Sequence, residues 1–195
     1  MSVFAILSVV FGILAVIGTI VAVKIIGVYN GLVGLRDHLK SGYAQIDVQL
    51  KRRYDLIPNL VSMVKGYATH EREVLEQVAE LRNRCAANNG SVADQSRDEV
   101  QLVDALKQLL VVVESYPELK ANENFLRLQT ELVNTEDRIQ AARRFYNGNV
   151  RDYRNKCETF PSNLVANLLG FKPEGDFFRV PPAVREAPNV DFAIP

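Results

Sequence analysis

Apolar residues fill positions 3–23 without a single charged side chain, and from residue 29 onward they return at intervals of three and four. The first stretch has only Ser8 and Thr19 as hydroxyls, with Gly12 and Gly18 as small interruptions. As a helix rising about 1.5 Å per residue it spans roughly 30 Å, the hydrocarbon thickness of a bilayer. Beyond it, Leu32, Arg36, Leu39, Tyr43, Ile46, Leu50, Arg53, Ile57, Leu60, Val64 and Tyr67 keep a 4-3-4-3 spacing. Val74, Val78, Leu81 and Cys85 continue that frame, with Glu71 as the exception. A 3.5-residue period is the seam of a helix packed along its length on others.

Residues 86–98 are small and polar, contain Asn89-Gly90, and read as a loop. Val100, Val103, Leu106, Leu110 and Val113 predict a shorter helix stopped near Pro117. Asn122 is placed to cap the next one, in which Phe125, Leu128, Leu132, Thr135, Ile139, Ala142, Tyr146, Asn149 and Tyr153 repeat the seam until Pro161. No segment alternates with period two for long enough to be a strand. Residues 162–170 form a short amphipathic stretch with Gly170 as its stop, and the five prolines of the last 25 residues exclude regular helix there.

The pattern predicts an all-α protein: an N-terminal transmembrane helix and short linker (1–28), an antiparallel up-and-down helical bundle (29–170) and a Pro-rich extended tail (171–195). Around Pro58 two readings stand. The unbroken seam favours one long kinked helix from 29 to 87, giving three helices in the bundle. The local chemistry favours a break, with Lys51, Arg52 and Arg53 closing one helix and Asp55 capping the next, so that Pro58 falls in a first turn where its missing N–H is harmless. The four-helix arrangement, with helices over 29–53, 56–87, 99–115 and 123–159, is the favoured one because the last helix then matches its neighbours in length.

Charge adds an orientation. The 23 basic and 23 acidic residues balance, which argues against non-specific nucleic-acid binding. Their distribution is uneven: residues 24–53 carry six basic side chains (Lys24, Arg36, Lys40, Lys51, Arg52, Arg53) against Asp37 and Asp47, and nothing basic precedes the apolar stretch. The positive-inside rule then places the helical domain in the cytoplasm at the inner membrane. A cleaved signal peptide is the competing reading, but the basic n-region is missing and Ile20-Val21-Ala22 is a poor cleavage site. Two His and two Cys are too few for a Cys/His zinc site or a disulfide scaffold, so neither metal nor cofactor is expected.

The run 29–33 (YNGLV), the run 45–61 (QIDVQLKRRYDLIPNLV), the run 64–71 (VKGYATHE), then 142–147 (ARRFYN) and 160–163 (FPSN) resemble the signature of the LemA family. The resemblance implies a bacterial inner-membrane protein with a helical-bundle domain and no established activity. It also implies association with envelope stress and with an M48-type membrane zinc protease as a partner, and one relative is implicated in magnetosome formation. Within these runs Arg52, Arg53, Asp55, Pro58, Asn59, Tyr146 and Asn147 are the candidate structural or interaction residues.

Candidate chemistry is sparse. His70-Glu71 fails the zinc-protease pattern because Val74 stands where the second His belongs, and no nucleotide-binding domain follows to make His70 a phospho-acceptor; a surface or capping role remains. Arg53 occupies a seam position. It either snorkels to the surface or pairs with an acid of a neighbouring helix, such as Glu131, Glu136 or Asp137, with Asp55 as partner or cap. Tyr-Asn-Gly occurs at 29–31 and at 146–148 without further repeat, and its tyrosines are expected to satisfy interior hydrogen bonds. Three functions are weighed: a non-catalytic membrane-anchored scaffold or adaptor, a self-assembling membrane-shaping protein that would form homo-oligomers, and an unrecognised enzyme. Contacts with the lipid bilayer are expected in the first two.

Overall fold

The computed structural model describes residues 3–68 and 70–178, apart from the side chains of 5 and 6. Among them the chain is all-α: α1 (Val3–Tyr67), α2 (Arg72–Ala87), α3 (Val92–Glu114), α4 (Pro117–Lys120), α5 (Glu123–Glu158) and α6 (Ser162–Leu168). The chain divides into two compact units. One joins residues 3–42 to 146–175, and the other joins residues 43–145 to 176–178.

In the first unit Leu32, Tyr153, Cys157 and Ala166 form a small core, with Val28, Leu35, Leu39 and Phe171 packed on it. The chain after α6 crosses this core without helix through residues 171–175. Arg36 meets Glu174 at 3.5 Å, and Gly175 adopts φ +97° where a Cβ would lie 3.1 Å from both Leu39 and Val150, so only glycine fits. The expected Pro-rich tail beyond 178 lies outside the described residues. The apolar N-terminal part of α1 is long and apolar enough to cross a membrane, and no other element buries it.

In the second unit one face of α1 (Ile57, Leu60, Val64, Ala68) packs with α2 (Leu75, Val78, Leu81, Cys85), α3 (Leu102, Ala105, Leu109, Val113), Leu119 and Phe125. Asn122 caps α5, its Oδ1 accepting from the amides of Asn124 (2.9 Å) and Phe125 (3.3 Å).

Two expectations are corrected. The chain does not break at Pro58; α1 runs through it, and Asp55 caps nothing. Pro58 faces solvent while Arg53, Ile57 and Leu60 keep the seam, so the ring meets no neighbouring helix. A proline in a helix interior costs about 3 kcal/mol, part of it through the carbonyl four residues back that loses its donor. Here that carbonyl belongs to Tyr54, and it accepts from Arg82 Nε of α2 at 2.9 Å. The break comes instead after Tyr67, where residues 69–73 (THERE) offer the seam no apolar side chain. The second correction concerns 86–98: only 88–91 is loop. Ser91 caps α3 by accepting from the Asp94 amide at 3.2 Å, its hydroxyl donates to Asp94 Oδ2 at 2.7 Å, and Asp94 sits favourably in the first turn. Asn88 and Gly90 close the turn, the Gly90 amide donating to Asn88 Oδ1 at 2.7 Å.

Candidate functional site: a buried ionic network and its cleft

The early start of α3 has a consequence for chemistry. It carries Glu99 into the interior of the second unit, opposite Arg53 of α1, and both side chains are 2% exposed. Arg53 pairs with Glu99 through Nη2 and with Glu136 of α5 through Nη1 at 2.8 Å. The Tyr54 hydroxyl donates to the other oxygen of Glu99, and Gln140 Nε2 donates to Glu136 Oε1 at 2.7 Å. Arg143, also buried, holds Nη2 4.0 Å from Glu99 and stacks its guanidinium over the Phe178 ring at 5.5 Å. Phe178 lies 6.2 Å from the Tyr43 ring, and the Tyr43 hydroxyl donates to Gln95 at 2.8 Å. Two guanidinium groups and two carboxylates from three helices thus close a network with zero net charge, the condition under which ions tolerate burial.

A cleft of about 550 Å³ opens beside the network, lined by Tyr43, Asp47, Tyr54, Arg82, Asp98 and Glu99 among others. Burial pushes the Tyr54 hydroxyl up to about 12 and the Cys85 thiol on the cleft wall up to about 11. Burial also raises Asp47, and burial with Arg53 alongside lowers Arg143. Tyr54 and Cys85 are therefore moved away from neutrality, where proton transfer works best. No group of three or more His, Cys, Asp or Glu suited to a metal ion occurs among the described residues. On the other side of α1, a more apolar groove of about 640 Å³ runs between α1 and α5, with Ala44, Val48, Ala141 and Phe145 on its walls; Val48 and Phe145 are exposed. Gln49 also lines it and keeps a buried Oε1 without a hydrogen-bond partner.

The sequence candidates separate. Arg53 is buried and paired. Arg52, its neighbour, is exposed and meets Glu131 at 2.5 Å. Asp55 lines the cleft mouth, and Pro58 and Asn59 face solvent. Tyr146 and Asn147 belong to the other unit, Tyr146 buried and Asn147 half-buried. Tyr29 is half-exposed while Tyr146 is buried, so the two Tyr-Asn-Gly triplets do different work. Sequence reasoning missed Glu99, Arg143 and Arg82. The Ser91 and Asp94 pair, three residues apart, was the available sign that α3 begins before Glu99.

The family model described as LemA family matches residues 42–192, a span holding all four members of the network. The chain belongs to the LemA family. Similar curated proteins include Protein LemA of Metamycoplasma hominis, 29% identical over 146 residues covering 74% of this chain and 66% of that protein. Magnetosome protein MamQ 2 of Paramagnetospirillum magneticum is 24% identical over 180 residues, covering 80% of this chain and 66% of its own. Magnetosome protein MamQ of Magnetospirillum gryphiswaldense is 22% identical over the same 180-residue length. This chain thus spans 66% of the length of these relatives.

Proposed function

We propose that this LemA-family chain is a non-catalytic scaffold or adaptor, anchored by α1 in the bacterial inner membrane with its helical units at the cytoplasmic face. The observation that carries the reading is where polar and apolar groups are placed. The most deeply buried ions pair with one another across α1, α3 and α5, which fixes the packing of those helices. What faces outward is apolar: the N-terminal part of α1 and the groove walls at Val48 and Phe145. That groove suits an apolar helix face of a second membrane-associated protein, with Gln49 offering an acceptor. The family resemblance points to membrane-protein quality control and an M48-type protease as the setting.

Protease added to intact spheroplasts tests the place: the helical units should stay whole until the membrane is breached, and digestion before that reverses the orientation. Sedimentation of the full-length protein in detergent tests the alternative, a self-assembling membrane-shaping protein. Assembly that grows with concentration would favour homo-oligomers; a constant monomer leaves the adaptor.

A further inference from the structure

The short helix α6 is amphipathic the wrong way round for a helix in water. Its buried positions are Ser162 and Ala166, four residues apart on one face. The opposite face shows Leu164 and Leu168 to solvent, 60% and 78% exposed, with Leu169 and Phe160 exposed beside them. A water-facing helix keeps polar residues outside and leucines inside. Residues 160–171 contain no charged side chain, and Lys156 and Lys172 flank them. Contiguous exposed apolar surface of this kind marks a contact with something other than water.

The fold says what that is. Ala166 packs in the core with Leu32 of α1, and the Phe171 ring meets Tyr29 edge-on at 5.7 Å. Exposed apolar residues of α1 continue to Ile26. At about 1.5 Å per residue, Tyr29 lies roughly 4.5 Å and Leu32 roughly 9 Å further along that helix. The headgroup layer is roughly 5–8 Å thick on each side of the hydrocarbon. The leucine face of α6 therefore sits at headgroup depth if α1 crosses the bilayer, level with a tyrosine of the kind enriched there and between two lysines that suit anionic lipid.

We propose that α6, with Phe160 and Leu169, is a second membrane contact that seats itself in the interfacial layer of the bilayer crossed by α1. This rests on the reading of α1 as the anchor. One span leaves the attached unit free to swing about its tether; an interfacial helix held against the same span fixes that unit's tilt on the surface.

The test uses the full chain in vesicles of mixed phosphatidylglycerol and phosphatidylcholine. An environment-sensitive nitrobenzoxadiazole label is attached at Leu164→Cys, Leu168→Cys, Val16→Cys or Leu126→Cys, each an exposed site; Cys85 and Cys157 are buried and take up little label. Labels at 164 and 168 should be quenched several-fold more by lipid carrying a doxyl group near the headgroup than by aqueous iodide. The label at 126 should show the reverse, and the label at 16 should respond to doxyl groups deep in the chains. Iodide quenching at 164 and 168 equal to that at 126, with 16 still in lipid, would overturn the proposal and leave the anchor standing. Protection at 164 and 168 from both quenchers would also overturn it, because protein then covers the face. Loss of lipid quenching at 16 would sink the anchor reading and this proposal together.

Discussion

Replacing Arg53 by alanine strands two acids at once. Glu99, 2% exposed, loses its main counter-charge, since Arg143 stands 4.0 Å away; Glu136 is a third exposed and recovers part of its solvation from water and Gln140. Breaking a buried ion pair by removing one partner costs about 3–5 kcal/mol. Arg52→Ala is the internal control, because its pair with Glu131 leaves both side chains more than 40% exposed, and such pairs contribute about 0–1 kcal/mol. With a urea dependence of about 2 kcal/mol per molar, Arg53→Ala should lower the unfolding midpoint by roughly 2 M and Arg52→Ala by less than about 0.5 M. The chain has no tryptophan, so the transition is followed by far-ultraviolet circular dichroism of the full protein in detergent. The pair Arg53→Met with Glu99→Gln should be less destabilising than the two single changes added together, since no buried charge is left alone. Equal midpoints for Arg53→Ala and Arg52→Ala, or strict additivity in the pair, would refute the buried network.

Three further outcomes follow from the same structure. Arg82→Ala should cost about 1–3 kcal/mol by leaving the Tyr54 carbonyl unpaired, and most of that cost should vanish in the Pro58→Ala background, where a backbone N–H returns; equal costs in both backgrounds would show that Arg82 does not serve that carbonyl. Cys85, its thiol pushed up to about 11 by burial, should have a thiolate fraction at pH 8 of about 0.001 against about 0.24 for a free cysteine; alkylation of the folded protein should therefore run at least 200-fold slower, roughly, than after unfolding in urea. Tyr54 and Tyr153 are both raised to about 12 by burial, so an absorbance titration should find them ionising after the other tyrosines. Because their folded pKa lies above the unfolded value, the stability they contribute is full below about pH 10 and is lost as pH rises toward 12; Tyr54→Phe should flatten that loss, and an unchanged alkaline limb would contradict it.

The helical class, the apolar span, the seam through Leu50, Ile57 and Leu60 and the Asn122 cap were legible because each rests on spacing or on a local side-chain bond. Pro58 misled because what lets a helix run through it is not local: the compensating donor, Arg82, lies on another helix. Glu99 was hidden by its polar neighbours, whose composition reads as loop although Ser91 and Asp94 hold them helical. Arg53 could be marked as an interior charge from its seam position, and Glu136 stood among the acids within reach. Which acid it meets depends on the register between α1, α3 and α5, and no short motif encodes that. The inverted face of α6 was visible only as amphipathic; burial of Ser162 and Ala166 decides which side is outside.

The central claim is that the outward apolar groove of the second unit receives another polypeptide at the membrane. Photo-crosslinking from p-benzoylphenylalanine placed at Val48 or Phe145 of the full chain, in intact cells, tests it most directly. The account predicts discrete adducts carrying a second, membrane-associated protein from both positions, and none from Leu126, an equally exposed site away from the groove's walls. An adduct of twice the chain's own mass would transfer the claim to self-assembly. The absence of any adduct from Val48 and Phe145, or a pattern identical to that from Leu126, would contradict it.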